Sequence, residues 1–591
     1  MKSVILGRLS SLRKFMSDNS LSAYITFSTD PHSGEYVPAH WESRKWISGF
    51  SGSAGTVVVT KNAAGLWTDS RYFLQAEEQL AGTGIILFKE RCEGTPSIAE
   101  WLSSVLEPGD CVGVDAFSTP YYIASSLRGE LSVSEIKLVS CGDPYDLIWQ
   151  DRPSMPLSKP FILSVEYAGE DIFSKISRVR EAFGANGAQA IVVSALDEIA
   201  WMLNMRGSDV HCNPLFLSYL FVSSEKVILY LDEVKVSDEV RAYLTSYGVE
   251  LRQYSDVKSD LLALRCGKVQ VSDNVNLALY EALSSGNEVV VLPSPVEYMK
   301  SVKNDTEMTG IRKAMVRDGV AMVRFLKWLD ENVSTARVSE LDVADKLLEL
   351  RSMQEGFHGI SFDTIAGYQD HGAIVHYEAT AESASVLKPE GFLLLDSGAH
   401  YTDGTTDITR TIPLGDLTYE QKLDYTLLLK GFIQLSMAEF PHGTCGTQLD
   451  VLARMYMWRY GINYGHGTGH GVGHFLNVHE GPHQIRMNNV PAVLLPGMTV
   501  TNEPGIYRAG KYGIRTENTM LIVPSCKTEF GQFYKFEQLT MCPISLYPVL
   551  FEMLSAEEIQ WLDLYHDEVV RRLSPFLSDD ENEWLSKVIK H

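Results

Sequence analysis

LLLDSGAHYTDGTTDITRT, residues 393–411, places two aspartates, Asp396 and Asp407, around a glycine-rich turn signal inside a strand-like apolar run. Three segments downstream add further metal-binding side chains. GHGTGHGVG (465–473) carries His470, TNEPGIY (501–507) carries Glu503, and GIRTENTM (513–520) carries Glu517. Four carboxylates and one imidazole gather more negative charge than a single zinc ion ordinarily collects. They suit two hard or borderline divalent ions sharing carboxylates, with Mn²⁺ favoured by an oxygen-rich set. Such a pair holds a hydroxide between the metals and clamps the oxygens of a reacting carbonyl, so the expected chemistry is hydrolysis.

The local geometry of each segment limits this reading. An Asp403-Gly404 two-residue hairpin turn would place Asp407 opposite His400 and leave Asp396 about 13 Å along the strand, too far to share an ion. Either the loop is centred nearer Tyr401 or Gly398 marks a bulge. In 465–473 glycine alternates strictly, which rules out a helix and with it an HxxxH zinc pair. An extended chain would put His466 and His470 on one face roughly 13 Å apart, so one is a ligand and the other lines the approach. The bare glycine face admits a neighbouring backbone or a substrate. A phosphate loop is the bland alternative, but neither GxGxxG nor GxxxxGK[ST] fits. In GIRTENTMLIV, Arg515 shares a strand face with Glu517 and can neutralise and orient it. Glu503 sits at a strand end entering a Pro-Gly turn.

With 591 residues the chain exceeds one hydrophobic core. A formal charge of −24 disfavours nucleic acid and anionic membranes as partners. The first twenty residues hold only a three-residue apolar run, so no signal-peptide core is expected, and no stretch approaches the length of a membrane span. The eight cysteines lack CxxC spacing and read as reduced thiols of a cytoplasmic protein.

Three domains are expected. Residues 1–157 alternate strands (AYITF, TVVVT) with helices (RYFLQAEEQL) and end at the linker DRPSMPLSKP, 151–160. Residues 158–298 echo that pattern: AYITFSTD, WISGFSG, TVVVT and GLWTD are matched by AIVVSALD, WMLNMRG, YLFV and ILYLD. Both are read as α/β. Residues 299–591 are α+β. A long amphipathic helix follows Asp305, with Ile311, Ala314, Met315, Met322, Val323, Leu326 and Leu329 at helical spacing. Further helices lie in 341–354 and 418–440, and two helices end the chain, the first from a capping box at Ser555 and Glu558.

The ligand segments resemble the metallopeptidases of the pita-bread fold, which include methionine aminopeptidase, prolidase and aminopeptidase P. GFSGSAGT, LWTDSRYFLQA, ALDEIAWMLNMRGSDV, NPLFLSY, DGTTDITRT, GHGTGHGVGHFLNVHEGP and FEQLT extend the resemblance over nearly the whole chain, to the three-domain Xaa-Pro aminopeptidases. The resemblance implies an α+β pita-bread catalytic domain and two Mn²⁺ per subunit, with Co²⁺ or Zn²⁺ as substitutes in vitro. Asp396, Asp407 and Glu517 would bind one ion, and Asp407, His470, Glu503 and Glu517 the other. It also implies substrate-contacting histidines at His376 and His479, which stabilise the tetrahedral intermediate, a pocket histidine at His466, and a substrate-reaching arginine at Arg71. The plain alternative for Arg71 is a local pair with Asp69. His358, His371 and His483 read as ordinary polar residues, and His474 carries no recognised role. The implied reaction is metal-dependent hydrolysis of the N-terminal Xaa-Pro bond by a dinuclear-metal-bound hydroxide. Glu503 would shuttle the proton to the proline nitrogen, and peptides with proline at position 2 are the partners. A cytoplasmic homodimer is implied as well. The rival readings are a prolidase limited to dipeptides and an inactive scaffold that binds peptides or histones.

Overall fold

The strand-like segments AYITF and AIVVS each become one of the two central strands of a six-stranded mixed sheet. In this computed structural model, which describes residues 2–335 and 337–590, the first sheet runs in the order Ile86–Lys89, Ala64–Thr68, Thr56–Thr60, Ala23–Thr26, Cys111–Asp115, Lys137–Cys141. The second runs Val249–Arg252, Val227–Tyr230, Tyr219–Ser223, Ala190–Val193, Lys268–Val271, Glu288–Val291. Chain order and the pattern of neighbours are the same in both. Ala23–Thr26 is antiparallel to Thr56–Thr60 and parallel to Cys111–Asp115, as Ala190–Val193 is antiparallel to Tyr219–Ser223 and parallel to Lys268–Val271. The outer pairs match too. The echo in the sequence is therefore an identity of topology. Every residue of the strands Ala23–Thr26 and Ala190–Val193 is buried, which is why they read as continuous apolar runs and not as alternating ones. Residues 152–160 between the sheets have no regular secondary structure, as their prolines predict.

Both sheets belong to one compact unit, residues 1–162 with 170–296, and the remainder, residues 163–169 with 297–591, forms a second. The second unit contains the long helix Asp305–Asn332. Asn304 caps it by accepting from Thr306 and Glu307 backbone N–H groups, while Glu307 returns the bond. Ile311, Ala314, Met315, Met322, Val323 and Leu329 are buried along one stripe. The helices Glu340–Ser352, Tyr419–Ser436, Gly446–Trp458, Ala556–Leu573 and Asp579–Val588 follow, and the Ser555–Glu558 capping box is present. They surround antiparallel sheets, one of Ile365–Tyr368, Phe392–Ser397 and Ile408–Pro413, and one of Glu439–Pro441, Gly531–Gln538, Asn518–Thr528 and Thr499–Asn502. The α+β reading of this region holds.

The aspartate hairpin turns one residue earlier than its Asp-Gly signal predicts. Asp396 pairs with Thr409, His400 with Thr405 and Tyr401 with Gly404, so Thr402 and Asp403 form the turn. The register is constant on both sides of Gly398, so no residue is inserted there and no bulge forms. It places Asp407 across from Gly398, two residues along from Asp396, close enough for the carboxylates to work together. The physical reason lies in the neighbouring helix. A Cβ on Gly404 would come within 2.9 Å of Ala314 Cβ and 3.2 Å of Ile311 Cα, so this glycine serves close packing and not a positive φ. Asp403 is meanwhile held by an ion pair with Arg317.

The glycine run is only partly extended. Residues 469–471 form a strand paired with Glu480–Ile485, whereas 465–468 bend away. Arg454 draws the backbone out of the ladder by donating to the carbonyls of Tyr464 at 2.8 Å and His466 at 2.9 Å. The expected close approach does occur: a Cβ on Gly469 would lie 1.9 Å from the Thr501 carbonyl oxygen, while one on Gly467 would meet nothing nearer than 3.6 Å. Gly469→Ala is therefore expected to lower the unfolding free energy by ~1–3 kcal/mol and Gly467→Ala to leave it nearly unchanged, as read by denaturant titration. Equal effects of the two substitutions would contradict this packing.

Candidate metal centre

Five acidic or imidazole side chains enter the second unit's interior from five separate strands or strand ends. Asp396 lies on Phe392–Ser397, and Asp407 two residues beyond Thr405 on the returning strand. His470 is the middle of Gly469–Gly471, and Glu503 follows Thr499–Asn502. Glu517 sits in the break between Tyr512–Arg515 and Asn518–Thr528. Ligand atoms of Asp407, His470 and Glu517 all lie within 4.8 Å of one another. His470 Nε2 is 3.4 Å from Asp407 Oδ2 and 3.5 Å from Glu503 Oε1. Its Nδ1 is 2.9 Å from the Gly471 carbonyl oxygen. That carbonyl can only accept, so Nδ1 carries the proton and Nε2 turns toward the carboxylates.

Arg515 brings a guanidinium to the carboxylates of this cluster. It donates to Asp396 Oδ2 at 2.6 Å, to the Tyr507 hydroxyl at 2.6 Å and to Thr409 Oγ1 at 3.2 Å. Its expected partner was Glu517, and the structure corrects that: the pair is with Asp396. The strand breaks at Thr516, where Glu517 N–H crosses to the Thr409 carbonyl, so the two side chains do not share a pleat. Arg515 reaches Glu517 only through the Thr409 hydroxyl, which donates to Glu517 Oε2 at 2.9 Å. Thr409 and Tyr507 escaped the sequence reading. Their signal is weak, since each is an ordinary strand residue two to four positions from a ligand candidate.

The electrostatics are those of a site short of positive charge. Burial is the main cause that raises Glu517 well above the carboxylate range, followed by Asp407, Glu503 and Asp396. Burial likewise pushes Glu503 up to about 7 against the opposing pull of His470. Asp396 is raised by burial, with Arg515 working against the shift and Asp407 adding to it. His470 rises to about 9, because its bond to Asp407 and the nearby Glu503 outweigh the desolvation that would lower it. Asp396 Oδ1 and Glu517 Oε1 are buried with no hydrogen-bond donor. Buried carboxylate oxygens left unpaired are costly. A donor set of four carboxylates and one neutral imidazole, with two oxygens unclaimed by the protein, fits a pair of divalent cations.

The other candidates are distributed around this centre. The His479 ring stands edge-on to that of His470, with centroids 4.3 Å apart. His466 Nε2 is 2.8 Å from the Tyr507 hydroxyl, so a chain of bonds runs from His466 through Tyr507 and Arg515 to Asp396. His376 is half-buried in a turn after the short helix Gln369–Ala373. Arg71, in the first unit, makes the local pair: its Nε and Nη2 each donate to Asp69 at 2.8 Å. His483 is buried against the Thr499 carbonyl and its pKa falls to about 4, chiefly through desolvation. His358 bonds the Thr402 hydroxyl at 3.0 Å.

Residues 8–152 and 151–307 match models of the creatinase/prolidase N-terminal domain, residues 309–524 match metallopeptidase family M24, and residues 532–591 match the C-terminal region of peptidase M24. A probable Xaa-Pro aminopeptidase P of Laccaria bicolor is 41% identical over 98% of this chain and 92% of its own length. The chain belongs to the aminopeptidase P family of M24 metallopeptidases. Another relative is aminopeptidase P2 of Arabidopsis thaliana, 41% identical over 99% of this chain and 88% of that protein. Among solved structures, the X-prolyl aminopeptidase of Caenorhabditis elegans, described as a cytosolic enzyme with a di-nuclear active site, superposes with a TM-score of 0.95 at 36% identity, covering 99% of each chain. A Xaa-Pro dipeptidase of Bacillus anthracis is 27% identical with a TM-score of 0.52; all of it aligns, but on only 64% of this chain. Among the described residues no helix is long and apolar enough to cross a membrane.

In this family member the metal-free cluster holds protons that cations must displace. Glu503 is raised in the folded state, so its proton is bound below about 7 and lost above it. Stability of the metal-free chain is thus expected to fall as pH rises from its ordinary value of 4.5 through 7. Mn²⁺ binding should release protons and weaken by roughly tenfold per pH unit below 7 for each proton displaced. Calorimetry in two buffers of different ionisation enthalpy checks this. Binding without proton release would contradict it.

Proposed function

We propose that this chain is a metal-dependent aminopeptidase that removes the N-terminal residue from peptides whose second residue is proline. The observation that carries the reading is the buried convergence of Asp407, His470 and Glu517 within 4.8 Å, in a chain about two-fifths identical along its length to Xaa-Pro aminopeptidases. Asp396, Asp407 and Glu517 would hold one cation, and Asp407, His470, Glu503 and Glu517 the other, with Mn²⁺ preferred by the oxygen-rich set. When bound, the two cations supply Lewis-acid polarisation of a carbonyl and acidify water.

The chain's own groups perform the remaining tasks. Arg515 opposes the protonation of Asp396 that burial favours and aims its carboxylate, while leaving Oδ1 unclaimed. A tertiary Xaa-Pro amide offers no N–H for recognition, so the proline ring is selected by shape; His376, His466 and His479 are the walls of that pocket. His376 and His479 donate to the oxygen that becomes negative during attack. The proline nitrogen must be protonated to leave, and Glu503 carries that proton. Arg71 as a substrate contact rests on resemblance. Homodimerisation and a cytoplasmic location rest on resemblance, and light scattering of the purified chain tests the first.

A dipeptidase reading is weaker, because the dipeptidase from Bacillus anthracis has no counterpart for about a third of this chain. An inactive scaffold would have no need to retain all five donors. With Mn²⁺, Arg-Pro-Pro is expected to be cleaved well above Ala-Pro, and Asp407→Asn to lower kcat/KM by at least a hundredfold. Cleavage of Ala-Pro alone would establish the dipeptidase, and no turnover of either at any metal loading would establish the scaffold.

A further inference from the structure

His376 lies in a long irregular connection, and one buried carboxylate organises it. Residues 369–391 join the strands Ile365–Tyr368 and Phe392–Ser397 with only the short helix Gln369–Ala373 between them. Among the described residues the segment's only ladder contacts are the isolated bridges Ser339–Val386 and Glu390–Asp416, so much of its conformation depends on side-chain anchors. Glu340, fully buried as the first residue of the helix Glu340–Ser352, is such an anchor. Its Oε1 accepts from Tyr368 N–H at 2.7 Å and from His371 Nδ1 at 2.9 Å. Its Oε2 accepts from the Tyr377 hydroxyl at 3.0 Å and from Ser385 N–H at 2.7 Å. The Glu340 N–H in turn donates to the Ser385 carbonyl at 3.0 Å. One carboxylate therefore ties the connection at residues 368, 371, 377 and 385 to a helix N-terminus, where negative charge is favoured.

His376 sits between two of these donors. Ile374 N–H bonds the His371 carbonyl at 3.0 Å and Tyr377 N–H bonds the Ile374 carbonyl at 3.1 Å, which closes the turn containing His376. The rings of His371 and Tyr377 stack with centroids 4.4 Å apart and planes 25° from parallel. The turn is thus gripped immediately after His376 by Tyr377 and five residues before it by His371, with both side chains ending on Glu340. An ionised carboxylate offers about four lone-pair directions and no proton, and four donors meet it here. A glutamine would keep the shape but turn an NH₂ group against two of those donors.

We propose that Glu340 is a positioning residue for the reaction, acting through His371 and Tyr377 to hold His376 toward the substrate. The proposal rests on the role given to His376 above. It is tested on the full chain loaded with Mn²⁺, using kcat and KM for Arg-Pro-Pro together with metal content and thermal midpoint. E340Q and the milder Y377F are each compared in the wild-type and H376N backgrounds. The expected result is a 10- to 100-fold loss of kcat/KM in E340Q, a smaller loss in Y377F, both mainly in kcat with two metals retained. In the H376N background each should then change kcat/KM by less than about threefold, since residues acting through one group are non-additive. If either substitution multiplies onto H376N by its full factor, or acts only by shedding metal, the proposal is overturned while the assigned reaction stands. If H376N equals wild type, the role of His376 falls, and Glu340's with it. If E340Q does not fold, the Y377F cycle decides the question.

Discussion

Like charges brought together away from water are the constraint that the catalytic unit is built around. Asp396, Asp407, Glu503 and Glu517 are buried or nearly so, and Arg515 and His470 offset part of their charge directly. Desolvation and mutual repulsion push Glu503 and Glu517 toward their protonated forms. A chain with this interior is at ease only when protons or cations fill the gap. The unclaimed oxygens on Asp396 and Glu517 are where that need is concentrated. The same imbalance that makes the metal-free interior costly gives it strong demand for divalent ions.

Holding such groups a few ångströms apart requires a backbone with little freedom, and the surrounding elements supply it by close approach. Gly404 lets the aspartate hairpin lie against the long helix, and Gly469 lets the His470 strand lie against the Thr501 carbonyl. Beneath the hairpin, Arg351 makes a two-pronged bond to Asp318, which also accepts from the Tyr401 hydroxyl. Arg454 fixes the loop carrying His466, and Glu340 does the same for the loop carrying His376. Fully buried ion pairs of this kind add little net stability, but removing one partner is severe. Their use here is to define geometry.

Much of the architecture was legible from residue patterns. The long helix after Asp305, its neighbours, both terminal helices and the Ser555 capping box all follow from periodicity and capping, which act within a few residues. The repeated α/β pattern was visible as matched segments, and its strand order proved identical. Where reading failed, a distant contact had overruled a local preference. Asp403-Gly404 is a strong turn signal, yet the turn forms one residue earlier because Gly404 is needed against Ala314 and Ile311. Arg515 and Glu517 alternate as residues on one strand face should, yet a break at Thr516 sends Arg515 to Asp396.

The chain's residue order by itself determined the kind of chemistry: five donors of the right types in the right succession, the glycines beside them, and the helices and strands that carry them. These depend on side-chain identity and near-neighbour spacing, which a linear sequence states outright. Tertiary structure alone decided which oxygen each donor leaves open, which carboxylate Arg515 neutralises, and which residues hold His466 and His376 in place. Those outcomes depend on distances between groups as much as 119 residues apart, and only the packed interior, where water no longer screens charge, sets them.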